Sequence, residues 1–413
     1  MNKAVGLSVV SIIVWGLAGC GGKEPAVEKA ALAPKPVTIK IASQTETAYN
    51  MIADTVRKKY PHITLEQMKY QNNNFSEMLT RGDKPDLIEV GQGGLSAMQT
   101  AGLDYDHRLL IKESDFDFSR FKEGLLDYPA NFSQDRNKLA AMFIVPNYYA
   151  LYYNKDIFNR FGVSYPKDGM TWNEVIDLAK RVTATDRGIL YSGLQFPNLW
   201  DPKSQLDQHY IDPVSGKAVL HTAGWRTVFE TLGRTYLIPG NAKDSNPAKM
   251  FTQNTLAMIP EGDKVATYAG IADLNWDMAS YPVFESRRGY GPSLAGYLLA
   301  VTSISEHKRE AFQVAMVAFS DEVQQKMAMD GKATAIKGFD HLFGKNIPGI
   351  ESKNVQAISK NQFGKPHGAV IYKEVPTLMD KAFSDYTNGM KDVNTALREV
   401  EDEANQVINK SPK

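Results

Sequence analysis

The sequence predicts an α/β protein in which mainly parallel sheets are flanked by helices. Two observations carry that expectation: strand-like and helix-like patterns alternate from residue 37 onward, and the 413-residue chain is long enough for two domains of ordinary size. VTIKIA, Val37 to Ala42, alternates apolar and polar side chains as a strand does. Tyr49, Ile52, Val56 and Tyr60 follow at spacings of three or four, a helical stripe that stops at Pro61. Ile63 to Tyr70 reads as a second strand, a short helix lies near Met78, and Leu87 to Val90 reads as a third strand. Sheets of this kind bind ligands at the carboxyl ends of their strands. Those ends are Ser43-Gln44-Thr45-Glu46 and Gly91-Gln92-Gly93-Gly94, which makes Gln44, Glu46 and Gln92 candidate ligand contacts. The glycines give backbone room and fall short of the GxGxxG phosphate loop.

The segment PNYYALYYNKD concentrates Tyr148, Tyr149, Tyr152 and Tyr153. As a strand it sends Tyr148, Ala150 and Tyr152 one way and Tyr149, Leu151 and Tyr153 the other. A second unit begins beyond it. Thr171-Trp172-Asn173-Glu174 fits a capping box, and the helix it opens carries Val175, Ile176, Leu178, Ala179 and Val182 as a packing stripe, with Trp172 structural. Helices are expected at Gly224 to Leu237, at Lys308 to Met329 as one long element, and at Lys391 to Lys410. Buried strands are expected at Leu256 to Ile259 and Tyr297 to Val301, with Pro260-Glu261-Gly262-Asp263 turning out of the former.

The N-terminus has its own logic. Lys3, an apolar run from Val5 to Val14 and a small-residue end describe a secretory signal peptide over residues 1–19, too short to span a bilayer. Cys20 is the only cysteine, so disulfides, zinc ribbons and thiol catalysis are excluded once it is assigned to an anchor. Leu17-Ala18-Gly19-Cys20 resembles the lipobox of bacterial lipoproteins, which implies that Cys20 is lipidated, and residues 21–36 read as a flexible tether. Lysine plus arginine equals aspartate plus glutamate at 47 each, so no net field recruits a polyanion, and nucleic acid is not an expected partner.

Several stretches in order carry a family resemblance: LAGC at the anchor, VTIKIA, KKYPHITLE, KPDLIEV, ALYYNKDIFNRFGV, TWNEVIDLAKRVT, AMIPEGDK and GYLLAVTSISEHKREAFQVAMVAFSDEVQQKMAMDGK. The sequence resembles the extracellular solute-binding lipoproteins of ATP-binding-cassette importers, in the sugar-binding branch that includes the maltose-binding proteins. The resemblance implies a two-lobed periplasmic-binding-protein-like fold, with a hinge crossed two or three times by the chain. Lobe 1 is expected from 37–145 plus about 280–318, and lobe 2 from about 146–279 plus 319–413. It further implies Cys20 acylation on the outer face of a bacterial membrane, or in the periplasm of a two-membrane cell. Capture of an oligosaccharide or other carbohydrate, delivery to the importer's permease subunits, a monomeric state and no cofactor also follow from it.

Within that frame the crossing is expected at Ile144 to Tyr148, with Asn147 a ligand contact, Tyr148 and Tyr149 facing the cleft, and Tyr152 and Tyr153 in the core. Rings stack on the apolar faces of sugars while Asn, Gln, Asp and Glu bond the hydroxyls. Trp200 in its proline-flanked loop reads as a platform, with Asp201 as hydroxyl acceptor; Trp225 and Trp276 read as core. Tyr290 either reaches into the cleft or is an exposed turn residue, and Asp263 or Lys264 either bonds ligand or is solvated. Related proteins often carry tryptophan after the glycine of this last segment, and this chain does not. A ligand sensor feeding a membrane receptor would share the fold. A polysaccharide hydrolase is the remaining alternative, but the seven histidines form no HExxH, and GPSLA is not a GxSxG elbow.

Overall fold

A computed structural model of the chain describes residues 34–127, 138–212, 214–243, 246–365 and 374–410, without the side chain of Gln92. The signal segment, Cys20 and most of the tether lie outside the described residues. In chain order the strands are β1 (Val37–Ser43), β2 (Ile63–Lys69), β3 (Leu87–Gly91), β4 (Met142–Pro146), β5 (Tyr149–Asn154), β6 (Ala184–Asp186), β7 (Ile189–Leu194), β8 (Leu256–Gly262), β9 (Trp276–Ser280), β10 (Tyr290–Ser293), β11 (Gly296–Val301) and β12 (Gln362–Gly364). They form one sheet in the order β2-β1-β3-β11-β4, a second in the order β6-β7-β8-β5-β9, and a small pair β10-β12.

The first sheet is mainly parallel. β1 runs parallel to β2 and β3, and β11 inserts antiparallel between β3 and β4. Ile39, Ile41, Leu87, Val90, Met142, Ile144, Leu298 and Ala300 are buried in its core, because a sheet covered on both faces needs apolar residues at nearly every position. The second sheet is mixed. β7 and β8 are parallel, whereas β5 lies antiparallel between β8 and β9. The tyrosine alternation appears as expected: Tyr148, Ala150 and Tyr152 enter one core cluster, and Leu151 and Tyr153 enter another.

Local chemistry sets the element ends. Glu174 N–H donates to the Thr171 hydroxyl at 3.3 Å, and the Glu174 carboxylate accepts from Thr171 N–H at 2.7 Å, completing the capping box. The expected Lys308 to Met329 helix is two helices, Lys308–Val317 and Asp321–Met329. The first tightens through Ala318, Phe319 and Ser320 N–H groups bonding three residues back, and that turn drives Phe319 into the core against Phe121 at 4.7 Å.

The chain passes between the two lobes three times. Asn147 and Tyr148 alone separate β4 from β5, the segment 281–295 returns from β9 to β11, and the chain leaves the first core after Ile336 to bury Phe343 in the second lobe. The first core therefore takes residues 294–336 as its second segment, including Val323 and Met327, where about 280–318 was expected. Tyr281 and Phe284 pack in the second lobe instead. Near 280 the sequence offers only an unbroken apolar run, SYPVF, which does not say which core receives it.

Candidate functional site

Strand register brings both sets of strand ends to the crossing. Gly296 opposes Pro146 and Tyr297 opposes Gly91, so β3 and β4 end at the same edge of the first sheet, and β1 and β2 end there with them. In the second sheet Tyr149 opposes Gly262, so β8 ends where β5 begins, and its parallel neighbour β7 runs towards the same edge, ending opposite Met258. The carboxyl ends of both sheets thus face the Asn147–Tyr148 link. Asn147 N–H donates to Ala295 carbonyl at 2.8 Å, tying the first crossing to the second.

On the first wall one buried carboxylate gathers three strand ends. Glu89 accepts from the Thr45 hydroxyl and from Ala48 N–H, each at 2.6 Å, while the Tyr70 hydroxyl donates to the Glu89 carbonyl at 2.7 Å. Burial raises the Glu89 pKa above the usual carboxylate value, opposed by these donors. Gln44 Nε2 donates to Asn73 Oδ1 at 2.7 Å, and both project at the exposed edge. Gly94 makes that arrangement possible, because a Cβ there would stand 2.5 Å from Asn73 Oδ1. Glu46 is exposed and paired with Lys69 at 3.0 Å, which lowers its pKa. Gln92 lies in the turn Gln92–Gly94 with its side chain outside the described residues.

The second wall is aromatic and acidic. Tyr149 sits at the margin of the core with its ring edge-on to Tyr281 at 5.8 Å, and Tyr281 meets Trp172 at 5.7 Å. Trp200 opens the helix Trp200–Gln205, separated from the end of β7 by the five residues 195–199, and is half-buried. Asp201 N–H donates to Asn198 Oδ1 at 3.1 Å. Burial, reinforced by the negative charge of Glu261, pushes the Asp201 carboxyl up to about 6, although the Asn198 amide opposes it. Glu261 at the end of β8 accepts from the Tyr268 hydroxyl at 2.6 Å and lies 3.5 Å from Lys264 Nζ. Asp201, Glu261 and Tyr149 all bear electrostatically on the buried Tyr281 hydroxyl, which brings these residues from four parts of the chain into one neighbourhood.

Two expectations need correction. Tyr148 does not face the cleft: it is 3% exposed, meets Phe343 edge-on at 5.2 Å, and its hydroxyl accepts from Val265 N–H at 3.2 Å. Asp263 is engaged within the fold: its carboxylate accepts from Tyr148 N–H at 3.0 Å, and its backbone adopts the left-handed region at φ 49°. Tyr290 starts β10; its ring lies under the Arg287 guanidinium at 4.5 Å. Tyr152, Tyr153, Trp172, Trp225 and Trp276 are buried. Sequence reasoning passed over Asn73, Glu89, Glu261 and Tyr281 as site residues. Asn73 carried one local signal, membership of an asparagine run after a strand; the others meet only through strand register.

An open groove of about 1010 Å³ among the described residues is bordered by Tyr60, Phe116 and Phe312, none of them a sequence-predicted site residue. Among the described residues no group of histidine, cysteine and acidic side chains would hold a metal, and no helix is long and apolar enough to cross a membrane.

Comparison with known proteins places this geometry. The profile of bacterial extracellular solute-binding proteins matches residues 41–325. The ABC substrate-binding protein Lmo0181 of Listeria monocytogenes, solved in complex with cycloalternan, superposes with a TM-score of 0.73 at 17% identity, covering 92% of this chain and 100% of that one. The sugar-binding protein MalE of Xanthomonas citri gives a TM-score of 0.73 at 16% identity over 91% and 98% of the two chains. A sugar transporter protein of Rhizobium etli in an open conformation gives 0.71 at 19% identity over 91% and 100%.

Proposed function

Because the chain belongs to the bacterial extracellular solute-binding proteins, we propose that it captures a carbohydrate, most simply an oligosaccharide, between its lobes and delivers it to an ABC importer. The observation that carries this reading is the meeting of both sets of strand ends at the crossing, with aromatic surface beside hydroxyl-bonding groups. Tyr149 and Trp200 offer ring surface to apolar sugar faces. Gln44 and Asn73 on one wall, and Asp201 and Glu261 on the other, bond hydroxyl rims. A ligand held by both walls favours the closed form by its differential affinity for that form, and no chemical step is needed. The sugar complexes among the similar structures support the same ligand class. Permease subunits are the partners this reading requires, and acylated Cys20 would keep the body at the membrane surface where they are found.

The test is thermal unfolding of residues 21–413 against mono- and oligosaccharides, amino acids, peptides and organic anions. Ligand at a hundred times its Kd adds about 2.7 kcal/mol of stability. A shift with a sugar series supports the reading. A shift confined to peptides or anions overturns the ligand class, and turnover of a polysaccharide overturns the binding function itself.

A further inference from the structure

The six-residue helix Trp200–Gln205 has two faces with different duties. Its first residues, Trp200 and Asp201, belong to the acidic and aromatic wall. Its last two, Ser204 and Gln205, are almost wholly buried against the segment that returns the chain to the first lobe. Gln205 Nε2 donates to the carbonyls of Pro282 at 2.7 Å and Tyr290 at 3.0 Å, while its Oε1 accepts from Trp172 Nε1 at 2.9 Å. Ser204 Oγ accepts from Ser293 N–H at 2.9 Å and donates to the Asp201 carbonyl at 2.6 Å. Ser293 stands three residues before β11, the first-lobe strand that the crossing feeds.

A buried polar network that is fully paired resists stretching, since a donor or acceptor pulled from its partner there finds no water to replace it. The helix and the crossing are therefore tied together by hydrogen bonds from Gln205 Nε2 to Pro282 and Tyr290 and from Ser293 to Ser204, which is itself bonded within the helix to Asp201. We propose that Ser204 and Gln205 are positioning residues that couple occupancy of the Trp200–Asp201 wall to closure of the lobes, by carrying any displacement of this helix into the 281–295 crossing. The inference rests on the reading of the cleft as the ligand site. It adds which residues transmit engagement, and assigns that work to two side chains that need not touch ligand.

The experiment is hydrogen–deuterium exchange on residues 21–413, read at peptides covering 200–206 and 281–295, with X-ray scattering for overall dimensions. Wild type, Ser204→Ala and Gln205→Met are compared with and without the carbohydrate found by the unfolding screen. Ser204→Ala is the mild deletion, kept in case Gln205→Met does not fold. The coupling predicts that ligand slows exchange severalfold in both segments of wild type and only in 200–206 of the variants, whose radius of gyration then fails to contract. Equal protection and equal contraction in wild type and variants overturn it. If wild type takes no carbohydrate, the ligand reading fails separately and the ligand-free comparison decides the coupling: Trp200→Ala should speed exchange at 281–295 in wild type but not in the Ser204→Ala background, and the same change in both sinks it.

Discussion

Lys203 keeps an ammonium group in surroundings that suit none. It is 1% exposed, its Nζ lies 4.1 Å from the Trp200 ring centre and 4.4 Å from that of Tyr210, and it donates to the Gln208 carbonyl at 2.7 Å. The two ring faces supply cation–π attraction in place of a carboxylate partner. Burial still pulls its pKa down to about 7, with Asp207 opposing. Below pH 7 the folded and unfolded chains both carry the charge and the burial cost is complete; between 7 and about 10.5 only the unfolded chain keeps the proton, so stability rises with pH. Against Lys203→Met, wild type should gain roughly 1.4 kcal/mol per pH unit across that window, measured by denaturant unfolding at pH 7 and 9. A constant difference would refute the assignment. His107 gives the acid counterpart. Its Nε2 accepts from Val301 N–H at 3.0 Å, its Nδ1 has no partner, and burial lowers its pKa to about 4. Its folded pKa is depressed, so this contribution is complete above about 6.5 and lost as pH falls towards 4. Wild type should lose about 2 kcal/mol more than His107→Gln between pH 6.5 and 5. At the cleft itself, Tyr149→Ala and Trp200→Ala should each weaken sugar binding about tenfold by calorimetry, the magnitude of a ring contact of roughly 1.4 kcal/mol. Unchanged affinity would remove them from the site. These residues show what a single sequence can and cannot expose. Period two divided the tyrosines correctly between the two sides of β5, but β5 is an interior strand with both sides buried, so periodicity could not say which side meets the cleft.

Elements were legible where their signals are local. The Thr171 capping box, the alternation in β1 and the stripe of the C-terminal helix Val393–Lys410 each rest on residues a few positions apart, and all three stand. The break at Ala318–Ser320 was not legible, because the gain from burying Phe319 against Phe121 comes from a residue almost two hundred positions away. Helix-on-sheet contact gives a further test. Gly193 in β7 lies so close beneath the helix Trp172–Val182 that a Cβ would stand 2.2 Å from the Ala179 carbonyl oxygen. Backbone cannot yield there as a side chain would. Gly193→Ala should therefore cost about 2–3 kcal/mol in chemical denaturation, and loosen the loop that begins at Gln195. A variant as stable as wild type would show that this helix floats on its sheet.

At the scale of the molecule, the resemblance supplied what periodicity could not: two lobes and a hinge. What sequence placed poorly were the borders, since crossings are made by ordinary apolar segments such as SYPVF. The arrangement of those crossings also sets the order in which the molecule comes into being. β11 lies between β3 and β4, so the first sheet has an interior gap until residue 301 exists, and the second core waits for Leu397, Val400 and Ala404, about a hundred residues further on. Each half therefore waits for residues far along the chain, and pairings of such long sequence separation form slowly. A chain of this topology spends its early life unfinished, which is the state in which a polypeptide threads a translocation pore.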